Sequence, residues 1–217
     1  MRQLWGTIRE QRWASVGLAI LILFGALAAL APYLSPYNPE EMYTPMLPSS
    51  RLHLLGTNDI GQDILSELLY GARFSLLIGF LSAVLSTAIG LSLGLISGYW
   101  DGLGFAIMRM VDLFLAIPRF PLIILMAAFL RPGLKTLLLF FVLFGWPRTT
   151  RLVRSQILSE RERGYVDAAR LVGASELRIL ARHLLPSSIP ISLVRFIMEF
   201  QHVILAESGL SFLGLGD

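Results

Sequence analysis

Ionisable side chains inside apolar stretches are the residues of this sequence with the clearest chemical potential. Glu199, His202 and Glu207 lie in one otherwise apolar stretch. A charge at membrane depth is costly and usually faces the interior of a helix bundle, where it can line a pathway for polar solutes. Glu207 has no charged neighbour within one helical turn, whereas Arg195 lies four residues before Glu199 and can pair with it. We therefore consider Glu199, His202 and Glu207 as pathway or gate residues.

A second charged pair lies in an earlier apolar stretch. Arg109 and Asp112 are three residues apart, so one face of a helix would bring them together. Pairing already offsets the cost of burying each charge. We expect an ion pair here rather than a pathway site.

Residues for catalysis or metal binding are not evident in this sequence. The chain has no cysteine, and His53, His183 and His202 are too scattered to suggest a ligand set. Asn58, Asp59 and Asp63 lack the spacing of an EF-hand, so a capped turn is the better interpretation. No phosphate-binding G-x-x-x-x-G-K-[ST] motif occurs. We expect no catalytic residue, no metal site and no cofactor in this chain.

The composition indicates the elements that must position these side chains. Of the 217 residues, 55% are hydrophobic and 15% are charged, and the mean hydropathy is +0.67. Soluble domains carry about 25% charged residues. The chain is therefore expected to be an all-α, multi-pass membrane protein. Its net charge of +3 gives no reason to expect binding to nucleic acid.

Five apolar stretches approach the roughly 20 residues that a spanning helix needs. They are Trp13–Ala31, Phe74–Trp100, Phe105–Leu130, Leu134–Val153 and Leu184–Leu215. Turn residues and a short amphipathic helix, Ile64–Tyr70, are expected before the second span. We divide the chain into residues 1–72, with the first span and a Pro-rich external loop, and residues 73–217, the transmembrane core.

The arginines orient these spans. Arg2, Arg9 and Arg12 precede the first span, and eight arginines occur from Arg148 to Arg182, both included. The positive-inside rule predicts that both segments, including the N-terminus, are cytoplasmic. Five spans would then leave Asp217 outside. We therefore expect the chain to be truncated, with a sixth span missing.

The cytoplasmic loop 155–186 has helical start and stop signals. Ser159 and Glu162 fit a capping box, which predicts a helix over Glu160–Val172. Gly173 is suited to the left-handed conformation that often follows a helix.

A second short helix is expected after this glycine. Ser175 can cap a helix over Glu176–Leu185, and Pro186 is expected to end it.

The sequence Val166–Ala174, followed by Leu184-Leu185-Pro186, resembles the EAA loop of ABC importer permeases. In that family the loop forms a coupling helix that docks into a groove on the ATPase subunit, and Asp167 replaces the usual glutamate here. Two consecutive alanines would let the backbone of this helix approach a partner closely, and the flanking arginines could pair with carboxylates of that partner. The resemblance implies these coupling residues: Tyr165, Val166, Asp167, Ala168, Ala169, Arg170, Gly173, Ala174 and Pro186.

The resemblance extends over the chain. Residues 53–66 are similar to the H-P-L-G-T-D-x-x-G-R-D-x-x-S block of dipeptide, oligopeptide and nickel permeases, with departures at Leu54, Asn58 and Gln62. The opening, 16–37, and the ending, 206–216, resemble the C-type subunit of these importers. Asp59, Gln62 and Asp63 are candidate contacts for a binding protein.

The resemblance implies a type I ABC importer permease fold in a bacterial or archaeal inner membrane. It also implies a B-type permease partner, two ATP-binding subunits that hydrolyse ATP, an extracytoplasmic solute-binding protein and a surrounding lipid bilayer. The cargo would be peptides or related small solutes, nickel chelates included. This chain would itself have no enzymatic activity.

Other classes of membrane protein remain as alternatives. A secondary transporter would show repeated halves with Gly/Pro-broken helices, which the sequence lacks. A membrane-embedded enzyme would need paired catalytic groups at one depth, and no convincing set occurs. A non-transport scaffold subunit is the third alternative, and co-purification of an ATPase would distinguish an importer from all three.

Overall fold

The computed structural model describes residues 12–129 and 133–214, whose regular secondary structure is helical. The elements are α1 (Arg12–Leu34), α2 (Ile64–Tyr99), α3 (Asp101–Ala116), α4 (Arg119–Phe129), α5 (Leu134–Arg161), α6 (Gly164–Leu171), α7 (Glu176–Ile179), a π-helical turn (Leu180–Leu184) and α8 (Leu185–Phe212). The predicted all-α class is confirmed. Arg2, Arg9 and the expected end of the last span at 215–217 lie outside the described residues.

Four helices in the described part of the chain are long and apolar enough to cross a membrane. They are Ser15–Leu34, Ile64–Tyr99, Leu134–Arg161 and Glu176–Phe212. These helices match the first, second, fourth and fifth predicted spans. The chain is therefore a multi-pass membrane protein.

The third predicted span is not one helix, contrary to expectation. Helix α3 ends at Ala116, and Ile117 has extended backbone angles of φ −79° and ψ 125°. Pro118 explains this break, because a proline disfavours the helical conformation of the residue before it. Arg119 then begins α4, a separate helix of 11 residues.

Helix α2 is longer than expected. The predicted short helix Ile64–Tyr70 does not stand apart, because it continues into the second span to form a single 36-residue helix. No proline interrupts this stretch, and Gly71 and Arg73 are not sufficient to end a helix.

The chain forms two compact units, which meet in the sequence between Leu77 and Ile78. The first unit contains α1, the loop between α1 and α2, and the start of α2. In the loop, the rings of Tyr37, Tyr43 and His53 lie against each other with centroids 4.8–5.1 Å apart. Asp63 caps α2 by accepting hydrogen bonds from the backbone N–H and the hydroxyl of Ser66, at 2.9 and 2.8 Å.

Helix α2 packs closely on α5 in the second unit. Three glycines spaced by four residues face α5, namely Gly90, Gly94 and Gly98. A Cβ atom added at Gly94 would lie 2.5 Å from the Cβ atom of Val153. A Cβ atom added at Gly90 or Gly98 would lie 2.5 or 2.6 Å from a Cβ atom of α5. Small residues at such an interface let helix backbones approach closely in a membrane.

The loop 155–186 differs from its predicted boundaries. Ser159 lies inside α5, which continues to Arg161, so the predicted capping box is wrong. Ser175 does occupy the N-cap of α7, although its hydroxyl makes no capping hydrogen bond. Pro186 lies in the first turn of α8, directly after the π-helical turn, and does not end the helix, which continues from Glu176 to Phe212.

Candidate coupling surface and polar pathway

Helix α6 packs its inner face into the core of the second unit. Val166 is fully buried, and Ala169 is packed against the same apolar cluster. The buried members of this cluster are Tyr99, Val153, Ile157, Val166, Ile179, Leu180 and Leu184. The inner face of α6 is thereby attached to the ends of three longer elements, α2, α5 and the helix that begins at Glu176.

The outer face of α6 and the turn after it are exposed. Asp167 and Ala168 face outwards, and Leu171 and Val172 are 89% and 88% exposed. Leu177 on α7 is also 75% exposed. The adjacent alanines of the predicted motif therefore have opposite roles, since Ala169 packs inwards and Ala168 is available to a partner.

Gly173 ends α6 as expected. Its φ of 83° lies in the left-handed region that favours glycine. The Gly173 N–H donates to the Arg170 carbonyl at 2.9 Å, and the Ala174 N–H donates to the Ala169 carbonyl at 3.0 Å. This pair of bonds is a Schellman motif, which fixes the direction of the chain after the helix.

A buried carboxylate joins α5 to the start of α6. Glu160 is 5% exposed, and it accepts hydrogen bonds from the Tyr165 hydroxyl at 2.7 Å and from Gln156 at 3.2 Å. Arg163 lies 3.1 Å from the same carboxylate. Burial and the hydrogen bond to the negative Glu160 raise the pKa of Tyr165. The sequence prediction missed Glu160 because it placed a helix start there.

Arg170 stabilises the other end of α6. Its guanidinium lies 3.3 Å from the Asp167 carboxylate and 4.0 Å from that of Glu176. It also lies over the Tyr99 ring, 6.0 Å from the centroid. The predicted coupling residues thus form one connected unit around α6, whereas Pro186 is an exposed residue of α8.

Glu199 lies between two arginines within the second unit. It is 2% exposed, and its carboxylate is 2.6 Å from Arg119 on α4 and 3.8 Å from Arg195 on its own helix. The predicted pairing with Arg195 is confirmed as a long ion pair. Arg119 was not predicted as a partner, because 80 residues separate it from Glu199 and only the fold brings them together.

The other two pathway candidates also lie on α8. His202 is half-buried and within reach of the charges of Arg119 and Glu199. Glu207 is 4% exposed and accepts a hydrogen bond of 2.9 Å from the Ser211 hydroxyl. The three candidates therefore face protein rather than the exposed side of this helix.

The predicted Arg109–Asp112 pair does not form. Asp112 instead pairs with Arg151 on α5. Arg109 lies over the Phe105 ring, 4.9 Å from its centroid. A partner on a neighbouring helix has replaced the one that helical spacing suggested.

The three residues predicted to contact a binding protein differ in their exposure. Asp63 is fully buried and lies 2.9 Å from His53 Nδ1. Burial alone would raise the pKa of Asp63, but hydrogen bonds from His53 and Ser66 outweigh this effect and lower it. Gln62 is half-buried and bonded to Asn58, at 3.0 Å between the side chains, which leaves Asp59 as the exposed member of the predicted contact set.

Comparisons with known proteins identify the family. Residues 86–217 match the binding-protein-dependent transport system inner membrane component family, and residues 1–52 match the N-terminal transmembrane domain of oligopeptide transport permease C. The dipeptide transport system permease protein DppC of Haemophilus influenzae is 36% identical, over 100% of this chain and 76% of its own length.

Two further relatives are similar over most of the chain. The oligopeptide transport system permease protein OppC of Mycobacterium tuberculosis is 39% identical, over 95% of this chain and 73% of its own length. The DppC protein of Bacillus subtilis is 33% identical, over 98% of this chain and 67% of its own length. The chain therefore belongs to the binding-protein-dependent transport system inner membrane components, and within them to the C-type permeases.

Proposed function

We propose that this chain is one of the two permease subunits of an ABC importer of short peptides. It would form half of the translocation pathway beside a B-type permease. Two ATP-binding subunits would act on its cytoplasmic side, and a solute-binding protein would deliver cargo from outside. The relatives named above are dipeptide and oligopeptide permeases, so we propose short peptides rather than nickel chelates as the cargo.

The two-sided environment of α6 is the observation that carries this proposal. Its outer side offers Ala168, Leu171 and Val172 to a partner, while Val166 is fixed in the core. A short helix with an exposed apolar side is suited to a groove on another protein. Movement of that partner would be passed to the spans, because the inner side of α6 cannot move without them.

Two connections would carry the movement onwards. Glu160 and Tyr165 join α6 to α5 through a hydrogen bond of 2.7 Å. The helix that begins at Glu176 continues to Phe212, and it carries Glu199 and Glu207. A displacement of the cytoplasmic loop would therefore re-tilt a helix bearing the pathway candidates, with no covalent chemistry in this chain.

A bulky substitution on the outer side of α6 tests the coupling role. We expect Ala168→Trp to abolish peptide-stimulated ATP hydrolysis and uptake in the reconstituted complex while assembly persists, since a helix in a groove tolerates little added volume. Ala29→Trp is the matched control, because Ala29 is an exposed residue of α1. Ala169→Trp should instead lower the melting temperature, because Ala169 packs against the core.

Two results would contradict the proposal. Normal coupled transport by the Ala168→Trp complex would exclude docking through α6. Peptide uptake that continues without any ATP-binding subunit would indicate a secondary transporter instead.

A further inference from the structure

A group of arginines surrounds Glu199 in the second unit. Arg119 and Arg195 flank its carboxylate, and the charges of Arg119 and Arg148 both act on Arg195. Two guanidinium groups therefore share the Glu199 carboxylate, and the charge of Arg148 acts on one of them, Arg195. Buried charges need partners, since their desolvation otherwise destabilises the protein.

Several N–H donors of these arginines have no hydrogen-bond acceptor among the described residues. Among the described residues, Nε and Nη1 of Arg119 and Nε of Arg195 are buried without an acceptor. Arg195 is 3.8 Å from Glu199, which is too long for a hydrogen bond, and its Nη1 contacts only the sulfur of Met198 at 3.6 Å. The side chain of Arg195 is nevertheless 13% exposed. Within the described part of the chain, no oxygen accepts a hydrogen bond from Arg195, and its ion pair with Glu199 is a long one, although buried polar groups are normally hydrogen-bonded.

A cavity opens beside Arg195. It has a volume of about 470 Å³, and its lining consists of Leu115, Arg148, Arg151, Leu152, Ser155 and Arg195. Arg151 already pairs with Asp112, whereas Arg148 is exposed at this wall. The space is therefore bordered by positive charge from two helices, α5 and α8, with two leucines and Ser155 completing the wall.

The break in the third predicted span lies beside this cavity. Leu115, in the last turn of α3, lines the cavity, and Arg119 begins α4 after the break at Pro118. In secondary transporters, discontinuous helices commonly border the solute site, and the N-terminal end of a half-helix favours anionic groups. The helix break and the arginines thus favour the same kind of ligand.

We propose that Arg195, with Arg148 beside it, forms a carboxylate-binding site in the translocation pathway. The ligand class is a small solute with a free carboxylate, such as the C-terminal group of a short peptide. A guanidinium group donates two parallel hydrogen bonds to a carboxylate, and the cavity gives access to Arg195. This inference rests on the proposed function, because it specifies the solute of that pathway.

Direct binding to the complete complex tests this site. The complex, without solute-binding protein, is placed in phosphatidylcholine nanodiscs and titrated with dansyl-glycylglycine and with its C-terminal carboxamide. We expect the free carboxylate to bind about tenfold more tightly, because one charge-assisted interaction is lost in the carboxamide. Arg195→Gln should reduce this preference to about threefold or less.

Two further variants keep the test interpretable. Arg148→Gln changes an exposed residue of the cavity wall and should also reduce the preference without affecting folding. Arg109→Gln removes an arginine outside the cavity lining and should keep the full preference.

Specific outcomes would overturn the proposal. Equal binding of the two probes to the unmodified complex would exclude the site, as would a preference that survives both Arg195→Gln and Arg148→Gln. If phosphatidylglycerol nanodiscs abolish the preference, an anionic lipid headgroup is the occupant instead. Peptide uptake without carboxylate preference would refute the site alone, whereas carboxylate binding without ATP-driven uptake would refute the transport function.

Discussion

Some side chains in the loop between α1 and α2 stabilise the conformation of that loop. Asp63 is fully buried, caps α2 through Ser66 and contacts His53. The sequence indicated a capped turn from the cluster of Asn58, Asp59 and Asp63, but it could not distinguish the buried carboxylate from the exposed one. Only the folded loop makes that distinction, because the His53 partner is ten residues away.

The pKa of Asp63 leads to a prediction about acid. This pKa is lower in the folded loop than the ordinary value, so the ionised carboxylate stabilises the loop above about pH 4. We expect this stability to be lost as the pH falls further, through the folded-state pKa. Hydrogen exchange of the amides around Ser66, corrected for intrinsic rates, should show the loss of protection.

Asparagine substitutions provide the control for this acid effect. Asp63→Asn should cost about 1–3 kcal/mol at neutral pH and remove the acid dependence, whereas exposed Asp59→Asn should leave both unchanged. An acid dependence that persists in Asp63→Asn would assign it to another group.

Gly173 is a residue whose role is conformational. Its φ is 83°, and a Cβ atom there would meet nothing within 4 Å. Gly173→Ala should therefore destabilise the end of α6 by about 1–2 kcal/mol through backbone strain alone, and Gly173→Val by more, because its side chain is β-branched. Exchange of the Ala174 amide measures this effect. Gly164→Ala is the matched control, since that position is equally open without a positive φ, and equal effects of alanine and valine at Gly173 would refute the explanation.

At the scale of elements, apolar length predicted four of the spanning helices but not all of their boundaries. The third span was expected to be continuous, yet Pro118 divides it. The sequence shows both prolines, but it cannot show which of them ends a helix. Pro147 is accommodated within α5, whereas the helix before Pro118 ends. Ser159 likewise fits a cap locally, whereas α5 continues past it. Packing of neighbouring helices decides between such alternatives.

Close packing of α2 on α5 gives the clearest prediction for an element. Gly94→Ala would place a Cβ atom 2.5 Å from that of Val153. Overpacking of this kind costs about 1–3 kcal/mol, so the melting temperature of the complex should fall. Gly25→Ala on α1 has open space around it and should be neutral or slightly stabilising. A similar melting temperature for both variants would mean that the two helices are not in close contact.

The whole molecule combines the exposed outer side of α6 with buried charged residues on the long helix that begins at Glu176. The EAA-like motif identified the position of α6, but the sequence could not show that Ala168 and Ala169 face opposite ways. Nor could it show that Arg119, Arg195 and Glu199 meet, since this depends on α4 and α8 packing together. Local motifs predicted the type of protein, whereas the relations between distant helices required the fold.

Cross-linking from a single cysteine tests the central claim most directly. The chain has no native cysteine, so Ala168→Cys introduces a unique thiol on the outer side of α6. If α6 docks on the ATP-binding subunit, a short thiol-to-amine cross-linker should join this cysteine to that subunit in the assembled complex, and Ala29→Cys on α1 should give no such product. Absence of the product from Ala168→Cys in an intact, transporting complex would contradict the account, as would equal products from both positions.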